Sequence, residues 1–80
     1  MNRDEIFNAV QDIFRDVFDD TNLMINDSTN SSTIEDWDSL NYVSLVVAIE
    51  KEFEIKFDLM ELERLIDVGA MLDLMMLKLK

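Results

Sequence analysis

Cysteine, histidine and proline are absent from this 80-residue sequence, and glycine occurs once, at Gly69. Without cysteine no disulfide can form, and without cysteine or histidine no Cys/His metal site is possible. A Ser/His or Cys/His nucleophilic pair is excluded too, because its base is missing. A chain this short is expected to form one domain, residues 1–80, without room for a buried catalytic cleft. We therefore expect a protein that is not an enzyme.

Positive charge is also scarce, since 7 lysines and arginines stand against 18 aspartates and glutamates, and the net charge is −11. Nucleic acids and anionic membranes would repel such a chain, whereas basic protein surfaces would attract it. The alternative is that the acidic residues only keep a small domain in solution. We expect no nucleic-acid partner and a monomeric protein.

Long apolar runs are lacking as well. The N-terminus reads MNRDEIFNAV, and Asp73 interrupts the apolar segment near the C-terminus, which Lys78 and Lys80 close. No segment is long enough for a signal peptide or a membrane-spanning helix. The expectation is a cytoplasmic protein without a membrane span.

Helical periodicity is the main pattern that is present, because apolar residues recur at three- and four-residue spacing. It predicts an all-α four-helix bundle with a long first loop and a short third helix. The helices are expected at about Arg3–Phe18, Ser39–Glu54 and Asp58–Leu65, and from after Asp67 to about Lys78. The predicted N-caps are Asn2, Asp38, Asp58 and Asp67, and Glu5 would complete a capping box with Asn2.

The first helix is followed by a long polar stretch that extends to Asp38. Its Asn, Asp, Ser and Thr side chains favour turns, because they bond their own backbone. A loop of this length in a small domain often has a function. The apolar residues expected to attach it to the core are Leu23, Ile25, Ile34 and Trp37. For Trp37 we expect packing that locks the loop onto the second helix, with contact to a partner protein as the alternative.

The second helix carries apolar residues on two different arcs. The arc that can face the core contains Tyr42, Leu45, Val46, Ile49 and Phe53. Leu40, Val43 and Val47 lie on another arc, and exposed apolar side chains often mark a docking surface. The alternative is that the whole helix lies at the centre of the bundle.

The segment Asp36-Trp37-Asp38-Ser39-Leu40 places a serine at the first position of a helix. The helix dipole and the free N–H groups of that turn favour an anion there, so a phosphodiester on Ser39 would be well placed. Asp36 and Asp38 would repel the phosphate but could attract a basic modifying enzyme. Position alone leaves open that Ser39 is an ordinary helix-start serine.

Asp38-Ser39-Leu40, followed by a helix that ends in Glu-Lys-Glu-Phe (residues 50–53), resembles the acyl carrier proteins. The resemblance covers nearly the whole chain and implies that Ser39 receives 4′-phosphopantetheine from coenzyme A. It implies that Asp38 helps to present Ser39 to the modifying synthase. Acyl groups would form thioesters on the thiol of the arm, so a protein without cysteine can carry out thiol chemistry.

The resemblance also implies a docking surface, made of Leu40, Val43, Val47 and Glu50. The partners implied are a phosphopantetheinyl transferase and acyl-loading, acyl-modifying and acyltransferase enzymes with basic docking surfaces. An apolar acyl chain would lie between the second and third helices or in the core. The candidates to line that space are Leu45, Val46, Ile49, Phe53, Leu62, Leu65, Met71 and Met75.

The chain departs from the family pattern within the second helix. Carriers of central fatty acid synthesis have acidic residues where this chain has Asn41 and Ser44, and Lys51 interrupts a usual acidic run. Recognition through pairs of acidic carrier residues and basic partner residues should be weaker on this face. We therefore expect a dedicated fatty acid, lipid or polyketide pathway rather than bulk fatty acid synthesis.

Other functions remain open. An aminoacyl or peptidyl carrier would share the fold and the arm, and an acidic interaction domain would bind a basic partner without any arm. A calcium-binding loop of the EF-hand type needs a central glycine, which the stretch after Asp19 lacks. No specific metal site is expected, although clustered carboxylates could bind divalent cations loosely.

Overall fold

A computed structural model describes residues 2–34 and 37–79, with the side chain of Ser39 outside the described part. In these ranges the chain forms four α-helices: α1 (Arg3–Val17), α2 (Ser39–Phe53), α3 (Leu59–Leu62) and α4 (Val68–Lys78). The predicted all-α architecture, with a long first loop and a short third helix, is confirmed. No helix within these ranges is both long and apolar enough to cross a bilayer.

The third helix is shorter than the predicted Asp58–Leu65. It ends at Leu62, after which the backbone N–H groups of Arg64 and Leu65 bond to the carbonyls three residues earlier, at 3.0 and 3.3 Å. These tighter turns are typical of helix ends. They direct Leu65 into the core before Asp67 begins the next helix.

Every helix begins at the side chain that the sequence predicted as its cap. Asn2, Asp38, Asp58 and Asp67 each accept a hydrogen bond from the backbone N–H three residues later, and α1 and α3 have complete capping boxes. Each such cap contributes about 1 kcal/mol to helix stability. In α1 the reciprocal bonds join Asn2 and Glu5, at 2.9 and 3.0 Å.

The core is formed where α1 packs against both α2 and α4. Ile6, Val10 and Phe14 form the fully buried stripe of α1, while the predicted Phe7, Ile13, Val17 and Phe18 are half-buried at its margins. The other fully buried side chains are Leu45, Ile49, Val68, Met71, Leu72 and Met75.

The long first loop is attached to α1 by three polar side chains, of which Arg3 pairs with the Asp27 carboxylate at 3.2 Å and the other two bond to the loop backbone. Gln11 Oε1 accepts a hydrogen bond from the Ile25 backbone at 3.0 Å, and Arg15 Nε donates to the Leu23 carbonyl at 2.7 Å. Ile25 is buried, as predicted, and Leu23 and Ile34 pack at the edge of the core. The loop is therefore held against the helix that precedes the site.

Gly69 lies where this loop meets the start of α4. Its backbone N–H donates to the Asp27 carbonyl at 2.9 Å, and the Val68 N–H donates to the Thr29 carbonyl at the same distance. A β-carbon at Gly69 would stand 3.1 Å from the Asp27 oxygen and 3.2 Å from the Asp27 β-carbon. The one glycine of the chain is thus explained by close approach of the loop backbone.

Gly69→Ala should destabilise the protein by about 1–2 kcal/mol, because the new methyl group pushes the loop away from α4. The helix propensity of alanine alone would act in the opposite direction, by about 1 kcal/mol. Urea unfolding measures the difference in the free energy of unfolding between the parent and Gly69→Ala. Ser44→Ala, at an exposed position of α2, is the control for adding alanine to a helix. A Gly69→Ala protein at least as stable as the parent would contradict the steric argument.

Candidate functional site

The N-terminus of α2 is organised by Asp38. Its backbone is extended (φ −107°, ψ −176°), its Oδ1 accepts a hydrogen bond from the Asn41 N–H at 2.9 Å, and its carbonyl accepts one from the Tyr42 N–H at 2.8 Å. Ser39 is consequently the first helical residue, at the positive end of the helix dipole. Asp36 of the predicted motif lies outside the described residues.

Trp37 anchors the chain directly before this turn, and 9% of its surface is exposed. Its ring meets the Phe14 ring edge-on, at 5.5 Å and 74°, and lies 6.3 Å from the Phe18 ring. Burial of Trp37 was predicted, and the aromatic rings that it contacts are those of α1 and its C-cap residue. The position of the turn is therefore tied to the first helix.

Leu40, Val43 and Val47 form an exposed apolar row along α2, with 75%, 58% and 48% of their surface accessible. Leu45 and Ile49 on the other side are fully buried. The alternative that α2 lies at the centre of the bundle is therefore wrong. The row is the surface that the sequence nominated for docking.

Two further exposed apolar side chains, Leu59 and Met60, lie in the first turn of α3. The sequence interpretation did not select them. The only signal in the sequence was the adjacent apolar pair itself, and α3 buries neither residue.

Glu50, the fourth predicted docking residue, is half-buried and also has a structural contact. Its Oε2 accepts a hydrogen bond from the Phe57 backbone N–H at 2.8 Å. Glu50 therefore supports the connection between α2 and α3. The exposed Lys51 and Lys56 line a shallow depression beside it, together with Val47 and Glu54. The C-terminal end of α2 therefore carries both signs of charge. The first turn of α2, at the opposite end of the helix, contains no acidic residue.

A small apolar cavity of about 100 Å³ lies between α2 and α3. It is lined by Tyr42, Val43, Val46, Val47 and Leu62. Of the residues predicted to line an acyl-binding space, Val46 and Leu62 are in its wall. Leu45, Ile49, Leu65, Met71 and Met75 belong to the buried core, and Phe53 packs at its edge.

Two polar contacts hold α3 in place over this region. The Tyr42 hydroxyl donates to the Leu62 carbonyl at 2.7 Å, and Lys78 Nζ of α4 lies 2.8 Å from Glu61 Oε1. The Lys78 hydrogen bond, with a further one from the Asp58 backbone, lowers the pKa of Glu61, and burial raises the pKa of Tyr42. At neutral pH Glu61 is thus charged and Tyr42 is a protonated donor.

A wider open groove of about 390 Å³ lies at the start of α2, lined by Ser31, Trp37, Asp38 and Tyr42. It gives a flexible group attached at the first residue of α2 space to lie along the protein. A helix-start serine, a capping aspartate and an adjacent groove together fit a covalent phosphopantetheine group. In residues 2–34 and 37–79, no three acidic side chains cluster closely enough to hold a metal ion.

Comparison with known proteins agrees with this geometry. The family described as "Phosphopantetheine attachment site" matches residues 8–75. The solution NMR structure of a holo acyl carrier protein from Geobacter metallireducens is similar in fold, with a TM-score of 0.86 and 41% sequence identity. That similarity covers 91% of this chain and 84% of the other. No curated protein matches the chain significantly.

Proposed function

Because this chain belongs to the acyl carrier protein family, whose members bear a covalent 4′-phosphopantetheine, we propose that Ser39 is the attachment residue. Proteins of this family are carriers and not enzymes, and the arm supplies the thiol that holds an acyl group as a thioester. The observation that carries the proposal is the position of Ser39 as the first residue of α2, directly after the Asp38 cap.

The residues around Ser39 have distinct tasks in this proposal. Asp38 ends the loop and fixes the first turn of α2, so that its free N–H groups and the helix dipole favour the phosphodiester. Trp37 fixes the position of that turn against α1. The side chain of Asp38 is exposed, which leaves its charge accessible to a basic phosphopantetheinyl transferase.

Intact-mass measurement tests the proposed carrier function. The protein is incubated with coenzyme A, magnesium and a broad-specificity phosphopantetheinyl transferase, and a gain of one phosphopantetheine is expected. Fragmentation of the modified peptide should place the group on Ser39. If a folded protein gains no mass with this transferase or with others, the proposal fails and an interaction domain without the arm becomes the better account.

We further propose that partner enzymes dock on the apolar row of Leu40, Val43 and Val47, in a dedicated fatty acid, lipid or polyketide pathway. The row is exposed, and Asn41, Ser44 and Lys51 supply no negative charge along it. Partner binding should therefore depend on apolar contact more than on acidic pairing. Enzymes that load, modify and transfer acyl groups are the partners in this proposal.

Leu40→Ala should lower kcat/KM for modification by the transferase about tenfold, the size of effect expected for a residue central to an interface. Met24→Ala is the matched control, because Met24 is 78% exposed but lies in the first loop. Equal losses in both variants would contradict a docking role for the row.

The pathway proposal fails if a standard ketosynthase and malonyl transferase use the holo protein as well as they use a housekeeping carrier.

A further inference from the structure

Tyr42 lies between the attachment end of α2 and the apolar cavity. It is one helical turn after Ser39, it lines the open groove with Trp37 and Asp38, and it also lines the cavity with Val43, Val46, Val47 and Leu62. A chain held on an arm at Ser39 would therefore pass the Tyr42 side chain before it entered the space between α2 and α3.

The Tyr42 hydroxyl ties α2 to the end of α3. It donates to the carbonyl of Leu62, the last residue of α3, at 2.7 Å, which is shorter than the 3.3 Å hydrogen bond that the same carbonyl accepts from the Leu65 N–H. The phenol is half-buried, and burial raises its pKa, so that it remains a donor at neutral pH. The surface that these residues present to the cavity is entirely apolar, so the hydroxyl is directed to the Leu62 carbonyl and not into the cavity.

We propose that Tyr42 determines the acyl-chain specificity of this carrier, by latching α3 across a cavity that accepts short apolar chains of about four carbons. The inference rests on the proposed function, because the chain must reach the cavity on an arm at Ser39. The length of the accepted chain follows from the cavity volume. An apolar cavity of about 150 Å³ holds benzene, with its six carbons, and a cavity of about 100 Å³ holds proportionally fewer carbons. The further methylenes of a longer chain would remain at the open side of the cavity, beside the exposed Val43 and Val47, unless α3 moved outward and the latch opened.

The structure offers a substitution that opens the latch without dismantling α3. Tyr42→Phe removes the hydroxyl and keeps the ring that packs in the wall. The contact between Glu61 and Lys78, at 2.8 Å, and the Asp58 capping box still hold α3. Ser44→Ala is the matched control, since it deletes a hydroxyl from an exposed position of the same helix that does not line the cavity.

The experiment loads the parent, Tyr42→Phe and Ser44→Ala proteins from acetyl-, butyryl-, hexanoyl- and octanoyl-coenzyme A by means of the transferase. The rate at which hydroxylamine cleaves each thioester is then followed by intact mass. In the parent, protection should rise about fourfold for each methylene that enters the cavity and should level off at butyryl. In Tyr42→Phe it should continue to rise through hexanoyl and octanoyl, while Ser44→Ala should follow the parent.

The outcomes distinguish failure of the role proposed for Tyr42 from failure of the carrier function. Thioester protection could depend on chain length identically in the parent and Tyr42→Phe, or could be independent of chain length in the parent. Either result would contradict the role proposed for Tyr42 and leave the carrier function intact. A folded parent that accepts no acyl-phosphopantetheine from any of the four donors would overturn the carrier function and the latch together.

Discussion

Ser39→Ala should accept no phosphopantetheine and should therefore lose carrier activity completely. The bond that holds the arm needs the serine oxygen, and alanine has no atom that can replace it. The fold should be unaffected, because the cap of α2 is made by Asp38 and not by Ser39. Intact mass after treatment with coenzyme A and transferase measures the result, and circular dichroism confirms that the variant is folded.

Ser44→Ala is the control for this experiment and should be modified as the parent is. Ser44 lies within α2, whereas Ser28, Ser31 and Ser32 lie in the first loop, away from a helix start. If the Ser39→Ala protein still gained one phosphopantetheine, the group would be attached to one of these residues. The assignment of the arm to the start of α2 would then be wrong.

Trp37→Ala should lower the free energy of unfolding by about 3–5 kcal/mol, the usual cost of removing a large buried aromatic side chain. The ring is 9% exposed and packs against Phe14 and Phe18. A domain of this size has a total stability of roughly 4–12 kcal/mol, so the variant would lose a large part of it. Loss of the Trp37 ring should also loosen the turn that positions Ser39.

Urea unfolding followed by far-ultraviolet circular dichroism tests the expected loss, since the variant has no tryptophan fluorescence. Leu40→Ala is the control, because it truncates a large apolar side chain that is 75% exposed and lies three residues from Trp37. It should change stability by no more than about 0.5 kcal/mol. A loss below about 1 kcal/mol for Trp37→Ala would show that the ring is not a principal anchor.

Features that depend on neighbours in sequence were predicted well. The caps Asn2, Asp38, Asp58 and Asp67 each bond to a backbone group three residues away, so the spacing alone is sufficient. The buried stripe of α1 and the division of α2 into buried and exposed arcs follow from helical periodicity in the same way. The location of Ser39 at a helix start depends on one of these caps.

Features that depend on the crossing of helices were not predicted. The Tyr42 hydroxyl and the Leu62 carbonyl are 20 residues apart in the sequence, and nothing in the spacing of either residue indicates that they meet. The length of α3 was overestimated because Leu65 is drawn into the core, and the aromatic partners of Trp37 are Phe14 of α1 and its C-cap residue Phe18. Several residues nominated for the acyl-binding space are instead packed in the core.

The sequence by itself therefore determined the helical class, the helix starts, the acidic character and the serine that the family resemblance identifies. These follow from composition and from contacts within one turn of helix, which the order of residues defines directly. Only the tertiary structure decided how α3 lies against α2, how small the cavity between them is, and why the single glycine stands at Gly69. Such features arise between segments that are distant in the chain, and their geometry depends on how all the buried side chains pack together.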